Sequence, residues 1–475
     1  MVRRSLMTSK RDGGNGRVSD SLNSACGILV AFFGAREIDG IVSVQRSFSH
    51  YLLPDIQSAA LEMLSRLNVV RTGLHQSDPC SALTISALLA GCGVQPVAVT
   101  PLQFHQLDLG DAEPFPALNN ALWLFRVSDR PVAVLLSRST DGDIVQIEVA
   151  TLPDAASTRF ADQFLGVMQD AALRSARYRG KVVSLEPPIG KYARPTMRVR
   201  RPASVGRDAV ILDDPTMARL ERHAFAFDRH RDGLRTLGQS TRRTLLLYGA
   251  QGTGKTHLTR YIAANLPGRT TVLIAPDRTG GLAALLRLAQ TFQPSLVILD
   301  DVDRIGGGCE KTGDSACGDR LRLLFTEMDR LEPDADILFL LTATHPRSLD
   351  RSLLPTLGRI EEAIEIPRPD ARCRTRLVAL FGASLTFEPG AIPDIVARTE
   401  GASVAYLKEM VRRLALAALM TDLGTRVSRR SVAVILGEAT DSQTRVARGV
   451  AEFADTLSRR PELRMAVTGG RSTDL

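Results

Sequence analysis

The spacing of apolar and polar positions changes along the chain, and each change marks an element. Residues 1–24 are polar and aperiodic, a pattern that buries too little apolar surface to order itself. From Pro54 to Leu67 the positions Ile56, Ala60, Met63, Leu64 and Leu67 share one helical face. Apolar runs at Val97–Thr100, Ala121–Val127, Val132–Ser137 and Ile144–Ala150 predict strands, the last two flanking the hairpin signal Asp141-Gly142-Asp143. Phe160, Phe164, Val167 and Ala171 then mark an amphipathic helix. From residue 208 onward strands alternate with helices, which predicts a parallel sheet.

This reading divides the 475 residues into an extension over 1–35, a small α+β domain over 36–185, and a basic, Pro-rich linker over 186–207. A nucleotide-type α/β domain over 208–368, a helical domain over 369–440 and a C-terminal helix and tail over 441–475 complete it. Composition adds exclusions. At 44% hydrophobic and 24% charged residues the chain is globular in type. No apolar run reaches the roughly 18 residues that span a bilayer. Arg3, Arg4, Lys10 and Arg11 precede the apolar Gly27–Phe33 in loose imitation of a secretory leader. The long Gly- and Ser-rich basic part and the poor cleavage site favour an extension instead.

The net charge of +8 is local, because ten Arg/Lys stand against the single acid Glu186 between Arg174 and Arg207. The rest is near neutral, which disfavours a general nucleic-acid binder. Six cysteines without a C-x-x-C pair predict reduced thiols and a cytoplasmic protein.

One stretch carries chemistry. The apolar strand Thr244–Tyr248 runs into Gly249-Ala250-Gln251-Gly252-Thr253-Gly254-Lys255-Thr256, a G-x-x-x-x-G-K-[ST] match, and a helix follows with His257 in its first turn. The glycines let successive N–H groups point at phosphate oxygens, and the helix N-terminus adds its dipole. Lys255 would reach the β- and γ-phosphates and the Thr256 hydroxyl would ligate Mg²⁺. Forty-five residues beyond Lys255, the strand Leu296–Leu299 ends in Asp300-Asp301. Asp300 would hold Mg²⁺ through water, and Asp301 would orient or deprotonate the attacking water. A third strand, Ile337–Leu341, ends in Thr342-Ala343-Thr344-His345, so a polar side chain can sit beside the γ-phosphate.

These pieces, with LLFTEMDRL at 323–331, TATHPRSLDRSLL at 342–354, Gly358-Arg359 and EGASVAYLKEMV at 400–411, resemble an AAA-type ATPase over about half the chain. The resemblance implies a P-loop αβα domain with a small helical lid, bound ATP and Mg²⁺, and a homo-oligomeric ring, usually hexameric. It implies Arg359 reaching a neighbouring subunit's nucleotide, and a sensor role for Thr344, with His345 as the rival. This chain departs from the family in having Asp301 where Glu is common and acids after Arg359. Its loop Ala275–Gly281 lacks the aromatic that grips a threaded polypeptide. The expected activity is ATP hydrolysis coupled to remodelling a protein client. The alternatives are a slow regulatory or assembly ATPase and, less favoured, a nucleic-acid-associated one.

Overall fold

The structure is a computed structural model. It describes residues 24–75, 82–90, 96–139, 144–174, 177–186, 196–202, 204–274, 282–303, 316–344, 360–420 and 424–437. The first half of the chain comprises α1 (Ala25–Phe33), β1 (Val42–Ser49), α2 (Leu53–Leu64), β2 (Val70–His75), α3 (Ile85–Ala90), β3 (Ala98–Thr100), β4 (Phe104–Leu107), β5 (Phe115–Leu118), β6 (Ala121–Val127), β7 (Arg130–Ser139), β8 (Ile144–Thr151), α4 (Ala155–Arg174), β9 (Val182–Glu186) and β10 (Thr196–Arg200). There follow α5 (Asp214–Leu220), α6 (Arg231–Thr236), β11 (Arg243–Tyr248), α7 (Lys255–Ala264), β12 (Thr270–Ile274), α8 (Leu282–Thr291), β13 (Ser295–Leu299), α9 (Ala316–Asp329), β14 (Ile337–Ala343), β15 (Glu362–Glu365), α10 (Ala371–Phe381), β16 (Thr386–Phe387), α11 (Ala391–Arg398), α12 (Val404–Met420) and β17 (Arg426–Val427). Among the described residues no helix is long and apolar enough to cross a membrane.

The chain packs as two compact units. One takes residues up to Pro202 with 267–298 and 326–338; the other takes 203–266, 299–325 and 339 onward. The division does not follow the expected boundaries, because segments expected inside 208–368 group with the N-terminal residues.

In the first unit a six-stranded sheet runs β1-β8-β7-β6-β2-β3. Five consecutive residues of β6, Ala121–Phe125, are buried, so both faces of the sheet are covered. Leu122 and Leu124 join the cluster around α1 and α3, while Phe125 meets Phe160 of α4 at 5.4 Å between ring centroids. The hairpin pairs Ser139 with Ile144. Asp154 caps α4 by accepting from the amides of Ala156 and Ser157, each at 3.0 Å.

Three expectations fail here. Residues 25–33 are not part of an extension. They form α1, capped by Ser24 accepting from the Gly27 amide, with Ala25, Ile28, Leu29 and Phe33 in the core. Residues 196–200 are not linker. β10 pairs antiparallel with β9 and buries Met197 and Val199 between exposed arginines. β9 in turn pairs parallel with β12, giving the order β10-β9-β12-β13 in this unit, which is why 267–298 joins it. Cys26 is disulfide-bonded, where only thiols were expected.

In the second unit β11 lies between β14 and β15 and pairs parallel with β15, Leu245 opposite Glu362. The helical domain has its own core, in which Leu407, Val411 and Leu414 of α12 pack with Leu377, Ile395 and Val427.

Candidate nucleotide site

Every described residue of the site lies in the second unit, starting from β11, whose residues 244–247 are buried. The chain leaves this strand at Gly249, where a Cβ would stand 2.3 Å from the carbonyl oxygen of Ile366. No side chain fits there. Gly252 and Gly254 have φ of +79° and +102°, in the left-handed region that glycine enters without a steric penalty. The three glycines thus wrap the loop tightly enough to start α7 at Lys255.

A cavity of about 680 Å³ opens over this loop, within the range of small-molecule and cofactor sites. The loop and the first turn of α7, Gln251 to Leu258, line it together with Asp301, Asp303 and Thr344. First-turn amides have no intrahelical acceptor, so this floor suits an anion. Lys255 is buried, and its Nζ donates to the carbonyls of Gly249 at 2.8 Å and Ala250 at 3.1 Å. Burial holds its ammonium below the usual lysine range, opposed by the carboxylates of Asp301, Asp303 and Asp300.

The two sequence-distant halves of the expected metal site meet. Thr256 Oγ1 donates to Asp300 Oδ2 at 2.9 Å. Asp301 has φ +51°, which an aspartate tolerates better than most residues. Thr344 Oγ1 donates to its Oδ1 at 3.5 Å, the outer edge of a hydrogen bond. His257 also lines the cavity, its Nε2 donating to the carbonyl of Ala209, another lining residue, at 3.1 Å. Arg359 and His345 lie outside the described residues, as does the loop 275–281.

The structure adds residues that sequence reasoning did not assign. Thr342 bonds to the Asp300 carboxylate and the Asp301 amide, and Asp303 accepts from the Thr344 amide. Apolar lining of the cavity comes from Val210 and Ile211, from Leu377 and Phe381 of α10, and from Val404 of α12, and Lys408 lines it as well. Local sequence carries no signal for this lining, because it is assembled from three separated segments. The lid reaches the loop directly, Ala405 N donating to Gly252 O at 3.0 Å.

Residues 245–368 match the family model described as the ATPase family associated with various cellular activities (AAA). The C-terminal half of this chain carries an AAA-type ATPase module. The module's relatives include the ATP-dependent zinc metalloprotease YME1L1 of Mus musculus, 26% identical over 295 residues, which cover 56% of this chain and 41% of that protein. The proteasome-activating nucleotidase of Methanosphaerula palustris is 30% identical over 202 residues, 40% of this chain and 48% of that one. The 26S protease regulatory subunit 6A of Caenorhabditis elegans is 29% identical over 167 residues, 33% of this chain and 39% of its own length. The chain thus spans less than half the length of these relatives. The matched stretch contains the P-loop and the paired acids, and these residues fit Mg-ATP in charge and donor type.

Proposed function

We propose that this protein binds Mg-ATP and hydrolyses it to ADP and phosphate, and that the turnover drives rearrangement of a protein client by a homo-oligomeric ring. The observation that carries the hydrolytic reading is the 2.9 Å contact between Thr256 and Asp300. It joins a hydroxyl and a carboxylate 44 positions apart beside the glycine-rich loop, the donor set that Mg²⁺ takes with nucleotide phosphates. ATP supplies the phosphoanhydride bond. Lys255 and the first-turn amides bind and orient the phosphates, and Asp301 holds the water that attacks.

The client part of the reading is supported by relatives whose names describe a protease and proteasomal ATPases. The N-terminal unit is the natural recruiter, since none of its described residues lines the cavity. The test is phosphate release from ATP by the full chain, with and without Mg²⁺, beside Lys255→Ala. Metal-dependent release that the variant abolishes is expected. Release that is absent, or unchanged in Lys255→Ala, sinks the hydrolytic reading. Capture of the same proteins by the full chain and by the N-terminal unit's surface variants alike would remove that unit from recruitment.

A further inference from the structure

The strand leading into the acid-facing loop, β14, is apolar from Ile337 to Leu341 and then places a hydroxyl, Thr342, at a fully buried position. Packing alone does not call for a hydroxyl there, since valine has the same shape. What the hydroxyl does is visible in its two bonds. The amide of Asp301 donates to Thr342 Oγ1 at 2.8 Å. Thr342 Oγ1 donates to Asp300 Oδ1 at 2.5 Å. The direction of both bonds is fixed by chemistry. An amide can only donate, so the threonine oxygen accepts from Asp301 and its one proton goes to Asp300. Asp300 Oδ2 is taken by the Thr256 hydroxyl. Both oxygens of Asp300 therefore accept, which fixes the carboxylate plane. At the same time the Asp301 amide is anchored while its backbone sits at φ +51°, a conformation that persists only where surroundings hold it.

We propose that Thr342 is a positioning residue for the metal site: its single hydroxyl sets Asp300 toward Mg²⁺ and holds the turn that presents Asp301. This rests on the Mg-ATP reading above, and the test separates the two. Full-length wild type, Thr342→Val and Thr342→Ser are loaded with ADP, and Mn²⁺, the probe metal, is titrated by electron paramagnetic resonance. The same proteins are assayed for phosphate release against ATP and Mg²⁺ concentration.

Losing one charge-assisted hydrogen bond predicts at least about fivefold weaker Mn²⁺ binding and about tenfold lower kcat in Thr342→Val. Metal-free ADP affinity should stay within about twofold of wild type, because no phosphate contact is touched. Thr342→Ser, which keeps the hydroxyl, should restore metal affinity to within about twofold. A Val variant with wild-type metal affinity, or a Ser variant as weak as Val, overturns the proposal. If Thr342→Val fails to fold, Thr342→Ala replaces it and is read against Ser, the pair differing by the hydroxyl alone; equal metal affinity in that pair also overturns it. A wild type that binds Mn²⁺ with ADP but releases no phosphate removes the hydrolytic reading and leaves the positioning role intact. A wild type that binds no Mn²⁺ in the presence of ADP removes both.

Discussion

The backbone amide of Thr344 donates to Asp303 Oδ2 at 3.0 Å. A buried carboxylate two residues beyond Asp301 thus holds the loop that brings Thr344 to the cavity. Asp303→Ala would leave that amide without its acceptor, costing about 1–3 kcal/mol of stability and lowering turnover as Thr344 loses its place. Asp303→Asn keeps an acceptor oxygen and should retain most of both. Denaturant midpoints and kcat for the two variants check this; an alanine variant with wild-type values in each would show that the tie has no role.

Lys255 places a cation over a partly desolvated floor, where a charged hydrogen bond is worth about 1.5–3 kcal/mol. Lys255→Ala should therefore weaken ATP binding at least about tenfold while the fold survives. Calorimetric titration of ATP, with circular dichroism as the folding control, measures it. Undiminished affinity would remove the phosphate-binding role of the loop.

The adjacent acids should fail in different ways. Asp300→Ala takes away a carboxylate bound by both Thr256 and Thr342, so metal-dependent binding and turnover should fall together. Asp301→Asn should bind Mg-ATP normally and lose turnover, since only the transition-state role is removed. Hydrolysis at the wild-type rate by Asp301→Asn would move the catalytic assignment to another acid of the cavity, with Asp303 the first candidate.

Leu29 of α1 is fully buried among residues of β6, β7 and β8. Leu29→Ala should cost about 2–5 kcal/mol, read as a shift in the first denaturation transition. A midpoint equal to wild type would mean that α1 contributes nothing to the N-terminal core.

We expect Arg359 to act on a neighbouring subunit's nucleotide. Arg359→Ala should bind ATP yet be inactive alone, and mixing it with Lys255→Ala should restore some turnover, because certain interfaces then join an intact P-loop to an intact arginine. No rescue at any mixing ratio, together with specific activity independent of protein concentration, would assign Arg359 to its own subunit.

The phosphate floor was legible in the chain because it is local. Its glycines, lysine and threonine are contiguous, and their backbone geometry follows from glycine's freedom and a helix start. Asp300 and Asp301 were legible because an apolar strand announces where its last residues emerge. The α+β character of the N-terminal unit followed from period alone, as β6, β7, β8 and α4 show. What went unread depended on partners far along the chain. Gly27–Phe33 follows a polar stretch and looks detached, yet α1 is held by β6 and β7 side chains about a hundred residues away. Met197 and Val199 alternate with arginines as an edge strand should, but flanking prolines masked the pattern and only pairing with β9 made it a strand. The roles of Thr342 and Asp303, and the apolar wall from Ile211, Phe381 and Val404, exist only once sheet and lid converge. A hydrogen bond or a pocket wall between distant segments has no periodicity to betray it, so tertiary packing alone decided which hydroxyl holds the acids and which side chains close the cavity.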